Sequence, residues 1–274
     1  MHFETLQSIS LNGDPNKPND DRFGSTSTLA WVIDGATDLG KPGLLGQQGG
    51  ASWLASTANA AFSMTQEDQI HTTCQTVFER IDAQFHHQRS RDVIADWEIP
   101  KAAFAATQIV DGTLEFAWAA DCPILHKSGN KINWCTGEPD ASAEVSEAKA
   151  LGEGIGAAHE MSGAVLSDRR AHRARANQIA LSALAGASAG VTRFSSFPIS
   201  SGDELILMSD GFASLVSDYA RYTGRSLIEA VRARGLADLM IELRRIERAD
   251  AACLNYPRFK ASDDATALWL RVAG

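Results

Sequence analysis

The sequence predicts an α+β fold in which antiparallel strands are layered with helices, and three observations carry that expectation. Short runs rich in β-branched or aromatic residues recur between turn signals, two tight turns link neighbouring segments, and helical periodicity is confined to two long stretches. The resulting order of strand, helices, strands, polar interlude, strand, helix and strand suits a layered α+β domain better than a doubly wound one.

In chain order, Leu29–Ile33 is the first clear strand. Helical spacing follows from Gly50 to roughly Phe85, interrupted near Gln66–Asp68. Strands resume at Ala102–Val110 and Thr113–Ala119, linked by "VDGT", where Asp111-Gly112 is a strong hairpin signal. Pro123–Lys127 runs into a second turn, "KSGN", at Lys127–Asn130. Glu204–Met208 and Thr266–Val272 complete the strands, with a helix expected between them from Ser226 to roughly Ala252. Leu227, Ile228, Val231, Leu236, Leu239, Met240, Leu243 and Ile246 give that helix an apolar stripe, while Arg244, Arg245 and Arg248 lie mostly off it and are expected in solvent. Between Glu138 and Gly163 the composition turns to Ala, Glu, Gly and Ser, with little to anchor a core. A mobile surface insertion, or more sharply a flexible flap around 138–165, is the expectation there.

A chain of 274 residues that is 44% hydrophobic can bury a substantial core. It has no apolar run of membrane-spanning length, and "MHFETLQSIS" lacks the pattern of a signal peptide, so a cytoplasmic protein with no membrane partner is expected. Cys74, Cys122, Cys135 and Cys253 are scattered without a CxxC and read as buried reduced thiols. A formal charge of −9 argues against nonspecific nucleic-acid binding and suits a protein that holds divalent cations.

Aspartates gather where strands end. "PNDDRFG" holds Asp20 and Asp21, "WVIDGATD" puts Asp34 after an apolar strand, "LILMSDGF" does the same with Asp210, and "KASDDATALWL" places Asp263 and Asp264 before one. Any one Asp-Gly after a strand is most often a turn. Together these carboxylates would repel unless hard cations neutralised them, and Mg²⁺ or Mn²⁺ takes oxygen ligands of this kind. A binuclear oxygen-ligand site is the natural expectation. His86 and His87 lie in a polar helical stretch, are expected to be exposed, and contribute nothing to it.

In order and rough separation, "NDDR", "VIDGATD", "AADCPILHKSG", "LILMSDGF" and "SDDATALWL" resemble the motifs of the metal-dependent protein phosphatases of type 2C, over about residues 10 to 272. The resemblance implies one domain over 1–274, a four-layer αββα sandwich of two antiparallel sheets between helical layers. It implies metal ligation by Asp21, by Asp34 bridging two Mn²⁺ or Mg²⁺ ions, by the Gly35 carbonyl, and by Asp210 and Asp263. Asp121 would help hold a possible third ion, although Ala120 stands where the family has glycine; Asp20 would act through water. Asp264, where the family usually has Asn, would hydrogen-bond nearby backbone. The implied reaction is hydrolysis of phosphoserine or phosphothreonine in a protein, or of a small phosphate ester, by a water that bridges the metals.

Two accessories of the family are absent. Ala36 and Thr37 follow Gly35 where a histidine general acid is usual, so no side-chain acid is identified and water is expected to serve. The phosphate-binding arginine before the first acidic pair is replaced by "DPNKPNDDR", leaving Lys17 or Arg22 as candidates. "SDRRAHRARANQ" clusters Arg169, Arg170, His172, Arg173 and Arg175; a solvated helix face is the plain reading, and a docking surface for a phosphorylated partner through Arg169, Arg173 and Arg175 the sharper one. Val32 stands where a haloacid-dehalogenase phosphatase would need its nucleophile, which sets that chemistry aside. The remaining alternative is a catalytically weak or inactive scaffold that acts as a regulatory binding protein. A monomer is expected.

Overall fold

The computed structural model describes residues 1–47, 49–158, 163–175 and 179–274. Its elements are β1 (His2–Leu11), β2 (Asp21–Ser25), β3 (Leu29–Gly35), α1 (Gly50–Met64), α2 (Ile70–Gln88), β4 (Lys101–Val110), β5 (Thr113–Ala119), β6 (Ile124–Ser128), β7 (Lys131–Trp134), α3 (Ser142–Leu151), α4 (Gly163–Arg173), β8 (Leu181–Ser182), α5 (Ala185–Val191), β9 (Arg193–Pro198), β10 (Glu204–Met208), α6 (Asp210–Ser217), α7 (Gly224–Ala249) and β11 (Ala265–Ala273). Two antiparallel sheets result. One runs β1-β11-β10-β6-β7, the other β2-β3-β4-β5-β9 with β8 on β4.

The central strands are apolar on both faces because each face meets a different core. On β3, Ala30 and Val32 point between the sheets while Trp31 and Ile33 point to α1 and α2. β4 repeats this with Ala103 and Ala105 against Phe104 and Ala106. On the other sheet, Leu205, Leu207, Leu268 and Leu270 face inward, and Ile206, Met208, Ala267 and Trp269 pack under α6 and α7. Period-two alternation therefore sorts side chains between two apolar layers, and the four-layer αββα order follows.

The two turns adopt the backbone their residues favour. Asp111 and Gly112 both have positive φ, 44° and 80°, as a two-residue hairpin requires, and Gly129 sits at 54° in the second. The break between α1 and α2 falls where the periodicity lapses. Five strands lie outside the sequence expectation: β1, β2, β7, the two-residue β8 and β9. β1 hides its period because a bulge between Thr5 and Gln7 shifts its register on β11; β2 is short and polar; β9 is a largely exposed edge. The long helix α7 is kinked at Gly235 (φ 82°), and Gln7 Oε1 accepts the Leu236 amide there at 2.7 Å.

The stretch expected to lack an anchor is in its described part helical and packed. Ala148 of α3 is fully buried, and Gly156 lies against the Arg258 carbonyl so closely that a Cβ would stand 2.3 Å from it. Residues 159–162 of the expected flap lie outside the described residues. Arg244 also departs from expectation. Only 14% exposed, it grips Glu247 and donates to the carbonyls of Leu11 and Asn12.

Candidate functional site

Both sheets contribute carboxylates to one end of the sandwich. Asp21 opens β2 and stands opposite Asp34 of β3 in the antiparallel register. Asp210 opens α6 immediately after β10, and Asp263 and Asp264 precede β11, which lies against β2 and β3 across the inter-sheet core. Strand ends from the two sheets thus deliver acids as distant in sequence as Asp21 and Asp263, 242 residues apart.

Burial and mutual repulsion make Asp21, Asp34 and Asp210 reluctant to ionise. Asp21 is 3% exposed and its Oδ2 has no hydrogen-bond partner. Burial raises its pKa, hydroxyls of Ser209 and Thr266 pull it back, and the charges of Asp263 and Asp264 push it up again. Asp34 and Asp210 are held well above the carboxylate range, first by burial and then by neighbouring acids, and they hydrogen-bond to each other. Two carboxylates this close resist carrying negative charge together. Asp20 is pushed up to about 6 by burial, then by Asp264 and Asp38.

The adjacent acids Asp263 and Asp264 are used differently. Asp264 accepts the amides of Gly13 (2.8 Å) and Asp20 (2.6 Å), pinning the first acidic loop to the start of β11. Asp263 is 37% exposed and takes the Lys260 ammonium on both oxygens, at 2.7 and 2.8 Å. Asp121 is exposed in the turn after β5, and Ala120 before it has φ 65°, the left-handed backbone for which glycine is suited. Gly35 donates its amide to the Asp20 carbonyl (3.2 Å), and a Cβ there would lie 2.9 Å from that oxygen and from the Ala51 carbonyl. Gly211 is tighter still, since a Cβ on it would stand 1.9 Å from the Asp264 carbonyl oxygen. The glycines after Asp34 and Asp210 are thus demanded by backbone packing.

The donor set fits a hard divalent cation in kind. Every donor is oxygen, and the buried Asp21 Oδ2 lacks any protein partner. Among the described residues, no three His, Cys, Asp or Glu side chains are drawn close enough together to hold an ion. Asp34 and Asp210 are engaged with each other, and Asp263 with Lys260.

The expected phosphate-binding cations fall elsewhere. Lys17 is 67% exposed, with its ammonium 3.9 Å from Asp14. Arg22 follows Asp21 on a strand and so points to the opposite face; its Nη1 donates to the carbonyls of Asn19 and Asp21, both at 2.6 Å, and its Nη2 to Ser52 Oγ at 3.4 Å. The expected docking arginines of α4 also diverge. Arg169 stacks on Phe259 (3.8 Å to the ring centroid) beside Glu144, Arg173 is half-buried, and Arg175 is exposed beside His172. Arg170 donates twice to the Leu39 carbonyl and covers Trp97.

Two residues here escape a reading of the sequence. Asp38 accepts the amides of Gly50 (2.6 Å) and Ala51 (3.2 Å) and thereby caps α1, with no local signal because the cap comes from twelve residues upstream. Lys260 is visible in "KASDD", but only the folded loop turns it onto Asp263.

No protein-family model and no curated protein matches the chain. Solved structures do. The Mycobacterium tuberculosis serine/threonine phosphatase PstP/Ppp is 15% identical with a TM-score of 0.60, the whole of each chain being covered. A PstP catalytic domain in complex with two manganese ions is 14% identical (TM-score 0.58), covering 100% of this chain and 99% of that one. PppA, a regulatory component of the type VI secretion system in Pseudomonas aeruginosa, is 15% identical (TM-score 0.55; 99% and 98% covered). The resemblance seen in the motifs therefore extends to the fold, which is the α+β sandwich of the bacterial 2C-type phosphatases.

Proposed function

We propose that the chain is a metal-dependent phosphomonoester hydrolase of the 2C type that acts on phosphoserine or phosphothreonine in a partner protein, with a small phosphate ester as the alternative substrate. The buried acidic cluster carries this reading. Asp21 Oδ2 has no partner, and Asp34 and Asp210 hydrogen-bond acid to acid, an arrangement that divalent cations would relieve. Its fold neighbours are serine/threonine phosphatases, one of them in complex with two manganese ions.

Asp21, Asp34, Asp210, Asp263 and the Gly35 carbonyl would hold two Mn²⁺ or Mg²⁺ ions, with Asp121 available to a third. Such ions, when bound, lower the pKa of water from about 15.7 toward 7 and screen phosphate oxygens. Asp20, half-buried and with its backbone amide on Asp264, would accept hydrogen bonds from water at the site. Asp264 holds the Asp20 loop against β11, so its part is positional. No side-chain general acid is assigned, since Ala36 and Thr37 occupy the segment after Gly35 and neither protonates a leaving group well. We read the protein as a single-domain, monomeric, cytoplasmic signalling enzyme; no helix among the described residues is long and apolar enough to cross a membrane.

The test is Mn²⁺-dependent hydrolysis of a phosphopeptide and of an aryl phosphate. Asp34→Asn and Asp210→Asn are each expected to remove activity while leaving a folded protein by circular dichroism. A folded, Mn²⁺-loaded wild type without turnover on either ester would refute the enzyme reading in favour of the scaffold.

A further inference from the structure

We infer that Lys260 is the side chain that receives the phosphoryl group at the carboxylate cluster, a role for which the sequence offers Lys17 or Arg22. The inference rests on the hydrolase reading for its substrate, but on separate observations for its residue.

A phosphate monoester brings negative charge to a site that already gathers Asp20, Asp21, Asp34, Asp210, Asp263 and Asp264. Positive charge on the solvent side of those acids favours its approach, beyond what ions bound among them would supply. Lys260 stands there. Its side chain is 45% exposed while its ammonium contacts both oxygens of Asp263. Desolvation pulls its pKa down, but Asp263, and beyond it Asp210 and Asp34, more than reverse this and keep it charged. The same ammonium lowers the pKa of Asp20 and of Glu144 on α3, the sign expected of a positive charge within electrostatic reach of both.

The loop that carries Lys260 is fixed on both sides. Inside, the buried Arg258 donates to Asp250 (Oδ2 at 2.7 Å, backbone oxygen at 2.8 Å), to the Tyr256 carbonyl (2.7 Å) and to the Ala261 carbonyl (3.0 Å). Outside, Gly156 abuts Arg258 O and Lys260 N, and Arg169 stacks on Phe259, the residue before Lys260. The backbone is therefore held, and only the four-carbon stem, tethered at its end to Asp263, has freedom to move. A lysine ammonium is a compact charge on a flexible stem, and it can turn from Asp263 to a phosphate oxygen without moving the loop. Arg22 cannot do this, because carbonyls and Ser52 engage its guanidinium on the opposite face of β2.

Lys260→Met and Lys260→Arg in the full-length chain test the assignment. Inorganic phosphate is titrated calorimetrically into the Mn²⁺-loaded proteins, and KM and kcat are measured on a phosphopeptide. Loss of a charge-assisted hydrogen bond is expected to weaken phosphate binding about 10- to 100-fold in the Met variant and to raise KM comparably. Arginine should restore most of both, with Mn²⁺ affinity unchanged or tighter in Lys260→Met because a competitor for Asp263 is gone. Phosphate that binds the Met variant as well as the wild type, or fails to bind the wild type, overturns the assignment. So does a Met variant whose phosphate and Mn²⁺ affinities fall together without rescue by arginine, since Lys260 would then merely position Asp263. A wild type that binds phosphate through Lys260 but shows no turnover would sink the hydrolase reading alone.

Discussion

Replacing Gly211 by alanine should reverse the sign that helix propensity dictates. Gly211 is the second residue of α6, and alanine in a helix is ordinarily better than glycine by about 1 kcal/mol. Here an added Cβ would stand 1.9 Å from the Asp264 carbonyl oxygen, where contacts under 3.0 Å are essentially never found. The start of α6 and the start of β11 must part by roughly 1.1 Å, the difference of those two distances. Neither partner is a flexible side-chain tip, so the cost is that of overpacking, about 1–3 kcal/mol. Moving Asp264 also strains its bonds to the amides of Gly13 and Asp20, worth about 1 kcal/mol each. The net expectation is a loss of about 2–4 kcal/mol, read in urea unfolding as a midpoint lowered by about 1 M or more at unchanged slope. Because Asp210 sits on the displaced turn, Mn²⁺ affinity should fall as well. Gly190→Ala, in exposed α5 with open space around it, is the control and should be neutral to slightly stabilising. A Gly211→Ala protein as stable as the wild type would refute the claim that backbone packing demands the glycine.

The loop anchor and the acid cluster yield two further expectations. Arg258→Met leaves Asp250 buried without its charge partner, so a loss of about 3–5 kcal/mol is expected, measured by denaturant unfolding; a change under about 1 kcal/mol would show that the amides of Leu254, Asn255 and Tyr256 satisfy Asp250 unaided. In chelator, Asp20 should make the protein less stable as pH rises. Its folded pKa of about 6 lies above the unfolded 3.8, so the native state holds its proton longer, and the contribution is full below 3.8 and lost as pH climbs through 6. Asp20→Asn should flatten that part of a stability profile between about pH 4 and 6, and an unchanged slope would assign the effect to other groups.

The sequence displayed its fold where one rule acted alone. Strands such as β3, β4, β10 and β11, buried on both faces, announced themselves as apolar runs, and Asp111-Gly112 announced a hairpin. β1 was hidden because its bulge breaks the alternation on which strand recognition depends, and β9 because an exposed edge needs no apolar pattern. The segment around α3 looked unanchored because its anchors are small: one buried alanine and one glycine against a carbonyl.

For the site, residue type alone determined that oxygen donors gather at strand ends, since an aspartate beside an apolar run must end up where that strand emerges. Only the tertiary structure decided how those acids are used. Opposite faces of one strand separate Asp21 from Arg22, two backbone amides claim Asp264, and a loop tied down by Arg258 lays Lys260 across Asp263. Charge and chemistry are properties of the residue, whereas the partner a charge meets is set by backbone geometry between segments distant in sequence, which no local pattern encodes.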